Sequence, residues 1–277
     1  MQPPQSDRYV LIGNHRDAMV YGAVDPSSST SQILEVVRVL GTFLKEGWRP
    51  RRTIVVCSWG AEEFRLIGST EWVEENVDKL QSRAVGYINS DSCGVGPEFY
   101  VLAKSSIVGS ICGCYKTGDL LTFQIPGIKD SSKTLFQEWR EYGERYRPNA
   151  TEYPIVNALA AVSDQSSFSF YAGIPSTEFF FNKMKTKHSS LYSSYHTGYE
   201  TFYMVTTFID PEFKIHEACG RLSILSLKYL ADSSILPYSL GRFPSIMMSN
   251  LQNNKNRERL IQMYDKYIEL ENSKLKI

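Results

Sequence analysis

The chain has no apolar run approaching the roughly 20 residues that a bilayer-spanning helix needs, and its start, MQPPQSDRYV, has neither the basic nor the apolar stretch of a secretory signal. It also lacks an excess of charge of either sign. The 30 Lys and Arg residues cancel the 30 Asp and Glu residues, which argues against nucleic acid or an anionic membrane as a bulk partner. Zinc-ribbon cysteine spacing is missing as well. Cys57, Cys93, Cys112, Cys114 and Cys219 are odd in number, cannot all pair, and read as buried or half-buried thiols. Internal repeats and long low-complexity linkers are absent. What remains is ordinary globular composition: 277 residues, 42% hydrophobic and 22% charged, enough for one large core or two small ones. One sequon, Asn149-Ala150-Thr151, favours a secretory history as far as a single short triplet can.

The first two-thirds of the chain alternates as parallel α/β sheets do. Arg8–Ile12 reads as a strand. Ile33, Val36, Val37, Leu40 and Leu44 recur at helical spacing, and Gly47 is placed to stop that helix. RRTIVVCSW is a second strand, apolar enough to be buried on both faces. STEWVEENVDKL is helical, with Ser69 or Thr70 as its cap, and AVGYINSD is a third strand. Further on, EFYVLA and IPSTEFFF read as strands, with SKTLFQEWREYGERY and DQSSFSFYAG as helices. From YETFYMVTTF to the end the pattern is helical, broken at Pro237 and Pro244, and a last amphipathic helix places Leu260, Tyr264, Tyr267 and Ile268 on one face.

Ligands of open α/β sheets gather beyond the carboxyl ends of the strands. The first strand delivers His15 and Asp17 there, with Asp25 behind them. The second delivers Glu62 and Glu63, the third Asp91, and His196 lies just before a helical region. Imidazole and carboxylate suit Zn²⁺. There are too many carboxylates for one tetrahedral ion, whereas two metals sharing a bridging carboxylate would use them. In the Glu62-Glu63 pair, adjacent side chains diverge, so one can ligate while the other acts as general base. Asp17 could orient a ligating imidazole through the ring's other nitrogen. Polar residues after strands also serve ordinary turns, so the residues alone leave a metal site and plain loop polarity both open.

The ordered segments HRDAMVYGAVDP, GWRPRRTIVVCSWGAEEFRLIGSTEW, YINSD and YHTGYETF resemble the glutamate carboxypeptidase II family. That family includes the N-acetylated alpha-linked acidic dipeptidases and shares a superfamily with the transferrin receptor. The resemblance runs from about Arg8 to Pro237. It implies an α/β fold: a mostly parallel central sheet flanked by helices, zinc aminopeptidase-like, followed by an incomplete C-terminal helical region. The peptidase domain would span residues 8–237, and residues 238–277 would begin a helical dimerisation domain. The implied activity is that of a co-catalytic dizinc exopeptidase acting on short peptides. His15 and Asp91 would hold one zinc, Glu63 and His196 the other, with Asp25 bridging. Glu62 would be the general base, Asp17 the carboxylate behind His15, and Tyr195 an oxyanion-stabilising hydroxyl. Glu71 and Glu74 match two ligands of a structural calcium. Val162, Ser163, Asp164, Glu178 and Phe180 fall at the substrate pocket. A homodimer, and a type II anchor placing the full-length protein on the cell surface, are implied too.

The resemblance carries departures. Relatives have earlier protease strands and an inserted apical domain before the first ligand, and ENSKLKI stops partway through the helical domain, so the chain reads as a fragment. Missing strands would leave a sheet edge unpaired. Where the acid-preferring enzyme has arginines, GIPSTEFFF has Glu178 and Phe180, which cannot receive an acidic side chain as guanidiniums do. The glycine usual after the bridging Asp-Pro is replaced in DPSSSTS. Arg65 and Val162 stand at two further positions where glycine is usual. A receptor-type relative would have lost metal ligands, yet all five and the base are present.

Overall fold

Strand β1 (Tyr9–His15) explains why the first site residue is rigid. It pairs in parallel with β2 (Thr53–Trp59) on one side and β3 (Ala84–Asn89) on the other, so it sits inside the sheet. The strand therefore runs past Ile12, where the apolar run ends. The ladder continues to His15, opposite Trp59. Gly13 is needed for packing, because a Cβ there would lie 2.4 Å from the Tyr87 hydroxyl and 2.6 Å from Trp59 Nε1.

The computed structural model describes residues 8–103, 125–146, 148, 156–159, 161–182, 192–238, and 258, 262, 265 and 266. The sheet is completed by β4 (Glu98–Ala103), β5 (Asn157–Ala158) and β6 (Ser176–Asn182), in the order β2-β1-β3-β6-β4-β5. The run β2-β1-β3-β6 is parallel, and β4 opposes β6. This is the expected mostly parallel sheet flanked by helices.

On one face lie α1 (Ser27–Lys45) and α5 (Lys214–Asp232), with α4 (Leu135–Tyr146) farther along. Val10, Ile12, Ile33, Val36, Leu40, Leu222 and Leu230 share a core there. Alternation sends Leu11 to the other face, where it joins Trp59, Val73, Leu80, Tyr87 and Phe168 beneath α2 (Ile67–Glu75) and α3 (Val77–Arg83). Tyr87 and Phe168 stack with centroids 3.9 Å apart.

Four expectations are corrected. β2 is an edge strand with Val56 41% exposed, not a strand buried on both faces. Its apolar composition reflects its inward residues Cys57 and Trp59 only in part. The segment read as one helix after Ser69 is two, meeting at Asn76, and it starts earlier, at Ile67. The residue before it, Leu66, is left-handed, and Ser69 lies inside the first turn. Along α1, Val37 and Leu44 stay exposed while Ile33, Val36 and Leu40 are buried. Cys93 and Cys219 form a disulfide between the loop after β3 and α5, whereas Cys57 is a buried free thiol. Cys112, Cys114, Asn149 and the apolar face at Leu260–Ile268 lie outside the described residues.

Candidate metal centre

The carboxyl ends of β1, β2 and β3 bring the candidate ligands to one place. His15 is the last residue of β1. The loop that follows it carries Asp25 to the start of α1, where the Asp25–Pro26 peptide is cis. Two groups form. His15, Asp25 and Asp91 offer ligand atoms that all lie within 4.8 Å of one another, and so do Asp25, Glu63 and His196.

Asp25 belongs to both groups through different oxygens. Its Oδ1 stands 3.0 Å from His15 Nε2, and its Oδ2 stands 3.4 Å from His196 Nε2. Asp91 Oδ1 approaches His15 Nε2 to 3.5 Å, and Glu63 Oε2 approaches His196 Nε2 to 3.0 Å. The inward atoms have no hydrogen-bonded partner: His15 Nε2, Asp25 Oδ1, Glu63 Oε1 and His196 Nε2 are all buried and unsatisfied. Buried polar atoms normally find partners. His15 Nε2 meets Asp25 Oδ1 at one place and His196 Nε2 faces Glu63 at another, an arrangement that bound cations would fit, and the imidazole and carboxylate donors suit zinc.

The titration of the groups tells the same story. Burial disfavours the charged form of His15, but the close carboxylates of Asp25 and Asp91 outweigh it and lift the imidazole to about 12. Burial, then the charge of Asp91, pushes Glu62 up to about 9. Burial and the charge of Asp25 raise Glu63 to about 7. Without cations these carboxylates compete for protons, which is the signature of a site built for positive charge.

A family model described as Peptidase family M28 matches residues 1–208. The chain belongs to peptidase family M28. Among curated relatives of this M28 chain, Aminopeptidase NAALADL1 of Rattus norvegicus is 41% identical over 250 residues, covering 90% of this chain and 33% of the relative. Probable glutamate carboxypeptidase LAMP1 of Arabidopsis thaliana is 33% identical over 258 residues, covering 92% and 34%. The chain thus spans about a third of the length of the curated relatives it matches. A zinc aminopeptidase structure from Bacillus subtilis shares the fold, with a TM-score of 0.52 and 21% identity, covering 84% of this chain and 48% of that one. The LapA aminopeptidase of Legionella pneumophila matches with a TM-score of 0.51 and 18% identity, over 82% and 52%.

The remaining predicted residues of the M28 chain fall into three situations. Asp17 meets His15 through its backbone rather than its carboxylate, which stands 3.7 Å from Nδ1. His15 Nδ1 is 2.9 Å from the Asp17 backbone oxygen, while the Asp17 carboxylate accepts the amides of Glu62 and Glu63, each at 3.1 Å. It fixes the loop carrying both glutamates. That loop is strained, with Ala61, Arg65 and Leu66 all at positive φ. The Tyr195 ring stacks on His196 at 3.6 Å, and its hydroxyl feels the charges of Asp25, Asp91, Glu63 and Glu62, which joins burial in raising its pKa.

The pocket residues divide. Val162 is exposed, while Ser163 and Asp164 are buried. Glu178 is buried and receives Asn89 Nδ2 at 3.1 Å, and the same amide group donates to Ser163 Oγ at 2.9 Å. Phe180 lies two residues along the same strand face, half-buried. Burial and the charge of Asp91 raise Glu178 to about 8. Glu71 and Glu74 are exposed on α2, and among the described residues no third metal-binding group joins them.

Sequence reasoning missed Glu200, which is buried and hydrogen-bonded to the backbone of two candidate-ligand segments. Its signal was in plain view, since it lies four residues after His196 within YHTGYET.

Proposed function

We propose that this chain carries the catalytic centre of a zinc-dependent exopeptidase that hydrolyses short peptides. The observation that carries the reading is Asp25, whose two oxygens face two separate His–carboxylate pairs with otherwise unused atoms. His15, Asp25 and Asp91 would hold one zinc, and Asp25, Glu63 and His196 the other. Bound zinc supplies Lewis acidity and acidifies a water at neutral pH.

The chain's own residues supply the rest. Glu62, set beside Glu63 and already biased toward holding a proton, takes the proton from the attacking water and passes it to the departing amine. Asp17 holds the Glu62 and Glu63 amides so that both carboxylates keep their directions. The Tyr195 hydroxyl donates to the developing oxyanion.

Substrate choice follows from charge. Glu178 and Asp164 add buried carboxylates on the Asp91 side of the centre. With Phe180 they leave that side without a cation to receive an acidic group. The relative named as an aminopeptidase supports a peptide with a free amino terminus. A panel of free and N-blocked dipeptides with acidic, apolar and basic residues tests this. Free, non-acidic dipeptides should be cleaved fastest, and a best rate on N-acetyl-aspartyl-glutamate would overturn it.

For the full-length protein, the family resemblance supports a homodimer anchored with this domain facing outward. The Cys93–Cys219 disulfide fits an oxidising compartment. Among the described residues no helix is long and apolar enough to cross a membrane.

A further inference from the structure

Glu200 is 1% exposed, yet it lies in a turn-rich loop rather than inside a sheet or helix. A buried carboxylate without a cationic partner is held in place only if its oxygens accept good hydrogen bonds. Glu200 has them from three backbone amides, and the half-buried Tyr192 side chain also faces it. Its Oε1 accepts Asp25 N–H at 2.8 Å and Val24 N–H at 3.1 Å. Its Oε2 accepts His196 N–H at 3.3 Å. The backbone repeats the tie, with Ala23 N–H donating to Glu200 O at 3.3 Å.

One side chain therefore fastens together two segments about 175 residues apart in sequence. Both segments deliver side chains to the same cation position: Asp25 Oδ2 and His196 Nε2, 3.4 Å apart. Neither segment is a regular element at that point. Asp25 precedes α1, and His196 sits at φ +57°, a left-handed conformation uncommon for a residue with a side chain. The first group differs, because His15 is locked in the β1 ladder and Asp91 follows β3 directly. Asp17 fastens the Glu62-Glu63 loop in the same manner, through two amides. Each non-strand contributor to the second group is thus tied through its backbone amides by a carboxylate.

We infer that Glu200 is a positioning residue for the Asp25–Glu63–His196 metal position, setting the affinity of that position more than that of the other. The inference rests on the two-metal reading above. The two oxygens make separable predictions. In Glu200→Gln, the single remaining oxygen turns toward the Val24 and Asp25 amides, which offer two donors. The new NH₂ then faces His196 N–H, donor against donor. Gln therefore frees His196 and spares Asp25. Glu200→Ala frees both, and because Asp25 is shared, the first position weakens as well.

The test is a zinc titration of the metal-depleted chain by calorimetry and chelator competition, with Glu63→Ala and Asp91→Ala to assign each binding event. The wild-type chain should bind two zinc ions. Glu200→Gln should weaken only the event that Glu63→Ala removes, by about 10- to 100-fold, the usual effect of losing a group that orients a metal ligand. Combining Glu200→Gln with Glu63→Ala should add nothing to Glu63→Ala alone. Glu200→Ala should weaken that event further and the other by a smaller factor. Unchanged affinities at both positions in Glu200→Gln, or equal weakening of both, would overturn the inference while leaving the two-metal reading intact. A wild-type chain that binds fewer than two zinc ions would instead overturn the reading it rests on.

Discussion

Oδ1 of Asp25 stands 3.0 Å from Nε2 of His15, and neither atom takes part in a hydrogen bond. Two polar atoms that close and that buried would normally share a proton along a straight line. Here both belong with Asp91 to a group whose ligand atoms all lie within 4.8 Å of one another, as ligands do around an ion. Glu63 Oε2 and His196 Nε2 are likewise 3.0 Å apart.

Zinc uptake should release protons. In the metal-free chain His15 is lifted to about 12 and Glu63 to about 7. At pH 8, His15 carries a proton that zinc must displace, and at pH 6 Glu63 carries one as well. More protons should leave at the lower pH than at the higher, so zinc affinity rises with pH. Calorimetry in buffers of different ionisation enthalpy measures this directly. Uptake without proton release would contradict the assignment of His15 and Glu63.

Arg65 stands at φ +74°, which explains why glycine is usual at this position. A left-handed non-glycine residue costs roughly 1–2 kcal/mol, and glycine's extra freedom in the unfolded chain offsets about 0.5–1 kcal/mol of the relief. Arg65→Gly should therefore leave Tm unchanged or raise it slightly, whereas Arg65→Val should lower it. A clear loss of Tm in the glycine variant would mean that the Arg65 side chain holds the loop.

The Cys93–Cys219 disulfide closes a loop across a separation of 126 residues and ties the segment after Asp91 to α5. A native cross-link over such a span contributes about 2–4 kcal/mol. Urea unfolding with and without reductant should show a midpoint shift of that size, with Cys219→Ser matching the reduced protein. Coincident curves would show that the pair adds no stability.

Much of the fold could be read in the sequence because period and polarity agreed there. Short apolar strands alternating with a helix of 3.6-residue period gave β1, α1, β2 and β3, and polar residues after those strands marked the site. What could not be read was anything set by neighbours distant in sequence. The edge position of β2 depends on which strands pair with it. The start of α2 depends on a left-handed Leu66 that no propensity indicates. The two-amide grips of Asp17 and Glu200 depend on loops that approach only after folding. The cysteine pair was hidden for the same reason, since 126 residues separate its members.

The proposed function would place two zinc ions in the centre, with Glu62 as the base that accepts the proton of the attacking water. Its most direct test is Glu62→Gln, measured for zinc content and peptide turnover in the same preparation. Glutamine keeps the size of the side chain and cannot take a proton, so turnover should fall by at least about 10²-fold while zinc stays near two per chain. Normal turnover in that variant, or zinc well below two in the wild-type chain, would contradict the account.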